Sequence, residues 1–198
     1  MVTTAIDLLA PVYRLTVEEY RRMDDVGLFD EGPRVELIDG VLIEMSPIGP
    51  PHERAVAWLN RILVPQLDDT QVLSPQSSIV MPALRSAPQP DIAVRTMDEM
   101  LGRAEEHPLL LVEVSATSLR FDRVTKSRLY ARHGVRDYWI VNVAAEVVEV
   151  HREPTGDTWA TRTLHGRDET LRPLLLPDVA IELGPLFDFI AGRAGPHG

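Results

Sequence analysis

Leu109-Leu110-Leu111-Val112-Glu113-Val114-Ser115 is the most apolar run of the chain, and what flanks it decides the fold. A strand apolar on both faces belongs in the middle of a sheet covered on both sides. Asp122 to His133 then shows helical spacing and is stopped by Gly134, after which Tyr138 to Val143 reads as a second buried strand. Glu113 interrupts the first strand on the face that also carries Leu109 and Leu111. On the helix, Lys126 aligns with Asp122, Leu129, Tyr130 and His133 at intervals of three and four.

Working back toward the N-terminus, Pro90 and Asp91 introduce a strand at Ile92 to Val94, and Ser78 to Met81 reads as another. The stretch from Met97 to His107 reads as an acidic helix or loop with Asp98, Glu99, Glu105 and Glu106 in solvent. Further upstream, Pro47, Gly49, Pro50 and Pro51 form a rigid loop before a helix. Its apolar face is Ala55, Val56, Leu59, Ile62 and Leu63, and His52 lies in its first turn. The helix dipole there disfavours a charged imidazole, so a neutral, hydrogen-bonded histidine is expected, structural or catalytic. Arg34 to Ile38 and Val41 to Met45 are joined by Asp39-Gly40, the pair preferred by a tight hairpin turn. That turn places Glu36 on a face with Ile38, Val41, Ile43 and Met45. A carboxylate there needs a cation, a metal or donors, unless the position is a solvent-exposed edge. Thr16 and Glu19 match a capping box that opens a short helix through Tyr20 and Met23.

Toward the C-terminus, Glu146 to His151 and Trp159 to Thr163 read as a hairpin around Pro154 to Asp157, followed by a proline-rich return, a short helix at Pro185 to Ile190 and a frayed tail from Ala191 to Gly198. With 198 residues and 44% hydrophobic content, one domain spanning 1–198 is expected. Met1 to Val12 has neither a basic start nor an adequate apolar stretch, and no apolar run is long enough to span a bilayer, so a cytoplasmic protein with no membrane partner is expected. The absence of cysteine removes disulfides, thiolate nucleophiles and cysteine-bound zinc. A net charge of -10 opposes non-specific binding to phosphate backbones. The local exception runs from Arg120 to Arg136, where Arg120, Arg123, Lys126, Arg128, Arg132 and Arg136 face Asp122 alone. Such a run is either a phosphate-contacting surface or a solvated helix face.

The 20 lysines and arginines include one lysine, Lys126. In a chain that otherwise uses arginine, a retained lysine marks either a need for a compact, titratable ammonium or an accident of composition. No phosphate-cradling glycine loop, dinucleotide fingerprint, serine elbow or zinc-spaced histidine pair is present. The acids remain. Asp91 at a strand start and Glu113 within the next strand could share a hard cation such as magnesium, with a lysine from the following helix orienting water. The residues alone leave open an alternative in which Asp91 caps a turn and Glu113 pairs with an arginine.

Pro90-Asp91-Ile92-Ala93-Val94, Val112-Glu113-Val114-Ser115, Asp122, Lys126, Leu129-Tyr130-Ala131, Gly134 and Asp137-Tyr138-Trp139-Ile140-Val141-Asn142 together resemble the Uma2 family, a former domain of unknown function within the restriction-endonuclease-like PD-(D/E)XK nucleases. Glu36-Leu37-Ile38-Asp39-Gly40, Met45-Ser46-Pro47 and His52 extend the similarity over nearly the whole chain. The resemblance implies an α/β fold, a restriction-endonuclease-like core with a mixed, curved central β-sheet flanked by helices and a C-terminal β-hairpin extension. It implies Asp91, Glu113 and the Val114 carbonyl as metal ligands, Glu36 as the upstream acid and His52 as a histidine near the site. The position that holds lysine in most such nucleases is Ser115 here, and the resemblance implies that Lys126 takes over its task. Ala116 departs from relatives that carry an acid or proline nearby, which bears on the loop and not on the ligands.

The function so implied is Mg2+-dependent endonucleolytic hydrolysis of nucleic acid, DNA being the expected substrate, with Mn2+ as a substitute. Asp91, Glu113, Lys126, Glu36 and His52 form the expected catalytic set, and Arg120, Arg123, Arg128 and Arg132 the expected phosphate contacts. A homodimer is expected by analogy with related nucleases. Two rival readings stand beside this one: an inactive binding module on the same fold, and a metal-dependent hydrolase of a small phosphorylated substrate.

Overall fold

The computed structural model describes residues 11–193. The expectations for most of Met1–Val12 and for residues 194–198 of the tail therefore lie outside the described residues. The chain forms two compact units, residues up to 45 with 81–87, and residues 46–80 with 88 onward.

In the first unit, α1 (Val17–Asp25) opens at Thr16, whose hydroxyl accepts from the Glu19 amide while the Glu19 carboxylate accepts from the Thr16 amide. This is the capping box expected from the sequence. Strands β1 (Val35–Ile38) and β2 (Val41–Glu44) pair antiparallel with Glu36 opposite Ile43. Asp39 and Gly40 both take positive φ, +47° and +76°. A Cβ on Gly40 would lie 2.6 Å from the Arg14 Cβ and 2.9 Å from the Leu15 carbonyl oxygen, so the turn requires glycine.

The second unit is built on a six-stranded sheet of β3 (Gln71–Pro75), β4 (Ile92–Thr96), β5 (Leu110–Ser115), β6 (Asp137–Asn142), β7 (Val147–Thr155) and β8 (Thr158–His165), in that spatial order. Only β5 and β6 run parallel, and every other neighbouring pair is antiparallel. A parallel pair needs a long crossover. Here it is the helical segment formed by α4 (Leu119–Phe121), a widened π turn (Asp122–Lys126) and α5 (Ser127–His133), which ends at Gly134 with φ +83°. β7 and β8 are the expected C-terminal hairpin, longer than the sequence indicated, and they extend the sheet past β6.

Alternation along the strands sorts the two faces. Ile92, Val94, Leu110, Val112, Val114, Trp139, Val141, Val148 and Val150 join one core with Ala55, Trp58, Leu59 and Leu63 of α2 (Pro50–Leu63). The short pair β9 (Thr170–Leu171) and β10 (Ile181–Glu182), and α6 (Leu183–Ile190), complete that layer with Leu171, Ile181, Leu183, Leu186, Phe187 and Ile190. Glu113, Ser115, Tyr138, Glu149 and His151 alternate onto the opposite face. At the end of the described chain, Arg193 binds Glu146 and Asp188 at 2.6 and 3.1 Å.

Several expectations need correction. Ser78 to Met81 is not a strand; Ile79 donates to the Pro88 carbonyl and Met81 makes one bridge to Ser86. Prolines at 82, 88 and 90 remove the amide donors a ladder would need. The strand paired with β4 is instead Gln71–Pro75. Pro50 and Pro51 lie within the first turn of α2, where their missing amides cost nothing. Glu99 is buried, because it closes a second capping box on Thr96 in α3 (Met97–Met100) and accepts from the His107 amide at 2.6 Å. Glu106 is half-buried against Arg95 and the Val80 amide. Finally, the crossover helix starts at Leu119, ahead of Asp122.

Candidate active site

The pairing of Ile92 with Val112 sets the site. Continuing that register by one residue puts Asp91 across from Glu113, so two acids arrive side by side from neighbouring strands. Asp91 is oriented from two directions. Its Oδ2 accepts from the Val114 amide at 2.7 Å, and its Oδ1 lies 2.8 Å from Nε2 of His52. His52 Nδ1 is buried with no protein partner. Glu113 Oε1 receives Lys126 Nζ at 3.0 Å and the Tyr130 hydroxyl at 2.7 Å. Asp91, Glu113 and Lys126 are 7%, 3% and 4% exposed, so the lone ammonium points inward onto the acid and not toward solvent.

Lys126 reaches Glu113 because of its helix. In the π turn the Ser127 amide donates to the Asp122 carbonyl, five residues back, which widens the helix where Asp122 and Lys126 face the sheet. Such turns are frequent at functional sites. The Asp122 carboxylate is bound at Oδ2 by the hydroxyls of Ser115 and Ser118, each at 2.5 Å. The end of β5, the loop through Ala116 and the helix start are thereby tied together. Burial pushes the Asp122 carboxyl above its usual range, and the charge of Asp91 adds to this, against the opposing Lys126 charge and serine hydrogen bonds. The sequence reading assigned no role to Tyr130 or to this serine–aspartate cluster. The signal for Tyr130 was its four-residue offset from Lys126; for the cluster there was none, since Ser115 meets Asp122 only through the turn.

Tyr138 lies behind the acids with its hydroxyl on the Asp122 carbonyl at 3.2 Å. Burial, reinforced by the charges of Glu113, Asp122, Asp91 and Glu149, raises its pKa well above the usual 10.0, so it stays a donor. His151 packs edge-on to Tyr138 and Trp159, with Nδ1 3.3 Å from the Ser127 hydroxyl and Nε2 buried without a partner. Burial, with Arg162 and Arg123 against Glu149, lowers its pKa to about 4. An unfolded histidine titrates near 6.5, so between about pH 6.5 and 4 the unfolded chain binds a proton that the fold excludes. Stability supplied by neutral His151 is thus complete above that window and is lost as pH falls through it, by no more than about 3 kcal/mol. The raised Asp122 carboxyl acts in the opposite sense at the acid end. Urea midpoints at pH 7 and pH 4.5 are expected to differ less in His151→Gln than in the wild type, and equal differences would remove His151 as the cause.

The remaining expected residues are placed as follows. Glu36 is buried on β1 in the first unit. Arg120, Arg128 and Arg132 are exposed on the helical crossover. Arg123 is committed elsewhere: its Nε lies 2.9 Å from Glu149 Oε1 and 3.0 Å from Oε2, and Arg162 takes the same carboxylate at 2.6 Å. Burial pushes Glu149 up, but these two guanidiniums outweigh it and hold its pKa below the ordinary value.

A family profile named Uma2, described as "Putative restriction endonuclease", matches residues 17–184. The chain belongs to the Uma2 family. A solved structure described as that of a "putative nuclease belonging to DUF820" from Anabaena variabilis superposes on it with a TM-score of 0.67, covering 89% of this chain and 99% of that one at 18% identity. At that identity the likeness establishes a shared fold. No curated protein matches this Uma2 chain significantly.

Among the described residues, no three histidine or acidic side chains converge as a metal centre. The donor set does not suit a cation enclosed by side chains alone. It does suit a hard divalent cation that takes one or two carboxylates and completes its shell with waters and substrate oxygens. No helix among the described residues is long and apolar enough to cross a membrane.

Proposed function

We propose that this Uma2 protein is a divalent-cation-dependent nuclease that hydrolyses phosphodiester bonds, with magnesium as the preferred ion, manganese as its substitute and DNA as the substrate. The observation that carries the reading is the single lysine of the chain, buried and 3.0 Å from Glu113, whose strand neighbour is Asp91. Asp91, Glu113 and the Val114 carbonyl would hold the cation. When bound, it would supply a Lewis acid for the phosphoryl oxygen and a lowered pKa for the attacking water.

The protein's own groups do the rest. The Val114 amide and His52 keep Asp91 in one rotamer, so its carboxylate needs no reorganisation. Lys126 presents an ammonium that orients the water and steadies charge gathering on the phosphoryl oxygens. Arg120, Arg128 and Arg132, outside the site on the same helical segment, would contact flanking phosphates. The low exposure of both acids favours a strand that can bend into the site, so single-stranded or frayed DNA is the better substrate.

The test is cleavage of single-stranded, duplex and structured DNA and RNA with Mg2+ or Mn2+, wild type beside Glu113→Gln. Wild type is expected to cut, DNA before RNA, and to stop when EDTA removes the metal. Products no greater than those of Glu113→Gln on every substrate would remove the nuclease reading.

A further inference from the structure

We propose that Tyr130 is a positioning residue of this site. By donating to the same oxygen of Glu113 that receives Lys126, its hydroxyl holds carboxylate and ammonium in the one arrangement that accepts a divalent cation. The inference rests on the reading of Glu113 as a cation ligand.

The geometry is specific. Tyr130 OH and Lys126 Nζ stand 2.7 and 3.0 Å from Glu113 Oε1. Both come from one helix, four residues apart, immediately after the π turn. A glutamate terminal torsion is soft, and a lysine stem has several rotatable bonds. A single donor would leave the carboxylate free to swing about the contact. Two donors on one oxygen oblige it to break both if it turns.

The phenol is itself immobilised. Tyr130 is fully buried, and its ring meets Tyr138 edge-on at 4.9 Å. Tyr138 is pinned by the Asp122 carbonyl and stacks on Trp159 at 5.9 Å. Trp159 Nε1 is anchored in turn on Ser127 at 2.9 Å to its hydroxyl and 3.1 Å to its carbonyl. The aromatic layer behind the acids thus ends on the Glu113 oxygen. Removing a hydrogen bond that orients a ligating carboxylate typically costs about 10- to 100-fold in metal affinity.

A buried tyrosine hydroxyl also needs a partner for purely structural reasons, and metal affinity separates the two roles. Mn2+ binding to the full chain, followed by calorimetry or by the electron paramagnetic resonance of free Mn2+, is compared for wild type, Tyr130→Phe, Glu113→Gln and Trp159→Phe. Tyr130→Phe is expected to bind Mn2+ about 10- to 100-fold more weakly than wild type while keeping its circular-dichroism spectrum. Trp159→Phe is expected to weaken Mn2+ binding less than Tyr130→Phe does, because Tyr138 keeps its bond to the Asp122 carbonyl and Tyr130 its bond to Glu113. In wild type, added Mg2+ is expected to shift the ring signals of Tyr130 in a tyrosine-labelled NMR spectrum, a readout independent of any variant's folding. Wild-type affinity in Tyr130→Phe, or Tyr130 signals unmoved by Mg2+, with Glu113→Gln binding lost, would overturn the role of Tyr130 alone. Absent Mn2+ uptake by wild type, or equal uptake by Glu113→Gln, would overturn the ligand reading and this inference with it.

Discussion

Lys126→Met is expected to slow nucleic-acid cleavage by about 10²- to 10³-fold, the usual loss when one preorganised donor to developing charge is removed. The same substitution is expected to cost about 3 kcal/mol of stability, since it breaks a buried ion pair from one side and leaves Glu113 charged with fewer donors. Rates therefore need to be compared well below the variant's melting temperature and normalised to folded protein. Lys126→Arg is not expected to restore activity. A planar guanidinium is larger than an ammonium and points its donors along fixed directions, so at this buried position it does not reproduce the contact that the lysine makes with Glu113 Oε1. Cleavage by Lys126→Met at the wild-type rate, on the same substrate and metal, would remove Lys126 from the chemistry. It would leave the pair with Glu113 as a structural contact.

Asp137→Ala is expected to give the largest loss of stability, about 3–5 kcal/mol, seen as a melting temperature lowered by roughly 10 °C. Asp137 opens β6 and is fully buried, yet it accepts four hydrogen bonds. Trp139 Nε1 donates at 2.7 Å, Arg152 Nε at 2.9 Å, Arg152 Nη2 at 3.1 Å and the Leu174 amide at 2.6 Å. Truncation strands an indole N–H, a backbone amide and a half-buried guanidinium together, and a buried donor without a partner costs its full desolvation. The effect reaches the site as well, because β6 is the strand paired parallel to the one that carries Glu113. Calorimetry checks this directly. A shift below about 2 °C would mean that water replaces the carboxylate at little cost, contrary to the burial of the position.

Much of the frame was legible without coordinates because its signals are local. Thr16 with Glu19, Asp39 with Gly40, and Gly134 after a helical run each express a preference of a few adjacent residues for one backbone conformation. The apolar run at Leu110–Ser115, broken within by Glu113 alone, likewise marks a strand with both faces covered. Gln71–Pro75 escaped notice because its side chains are mixed, and it is a strand by virtue of what β4 offers it. Glu99 was misplaced for a related reason: an acidic stretch reads as solvated, whereas a capping carboxylate is drawn in by backbone amides. The long ladder of β7 and β8 also runs beyond its apolar core, since backbone pairing continues where side chains no longer indicate it.

Composition, periodicity and turn chemistry determined by themselves that a strand buried on both faces lies inside a sheet, and that two acids and one lysine stood out from their surroundings; the mixed order of that sheet was what the resemblance to the Uma2 family implied. They carried no information on which oxygen meets which donor. That depends on a strand register matched to within one residue, on a π turn that redirects part of a helix, and on an aromatic layer whose members lie far apart in the chain. Tyr130 on Glu113, the Ser115 hydroxyl on Asp122 and the diversion of Arg123 to Glu149 are all of this kind. Each is a contact between groups whose proximity is created by packing, so only the tertiary structure could decide it.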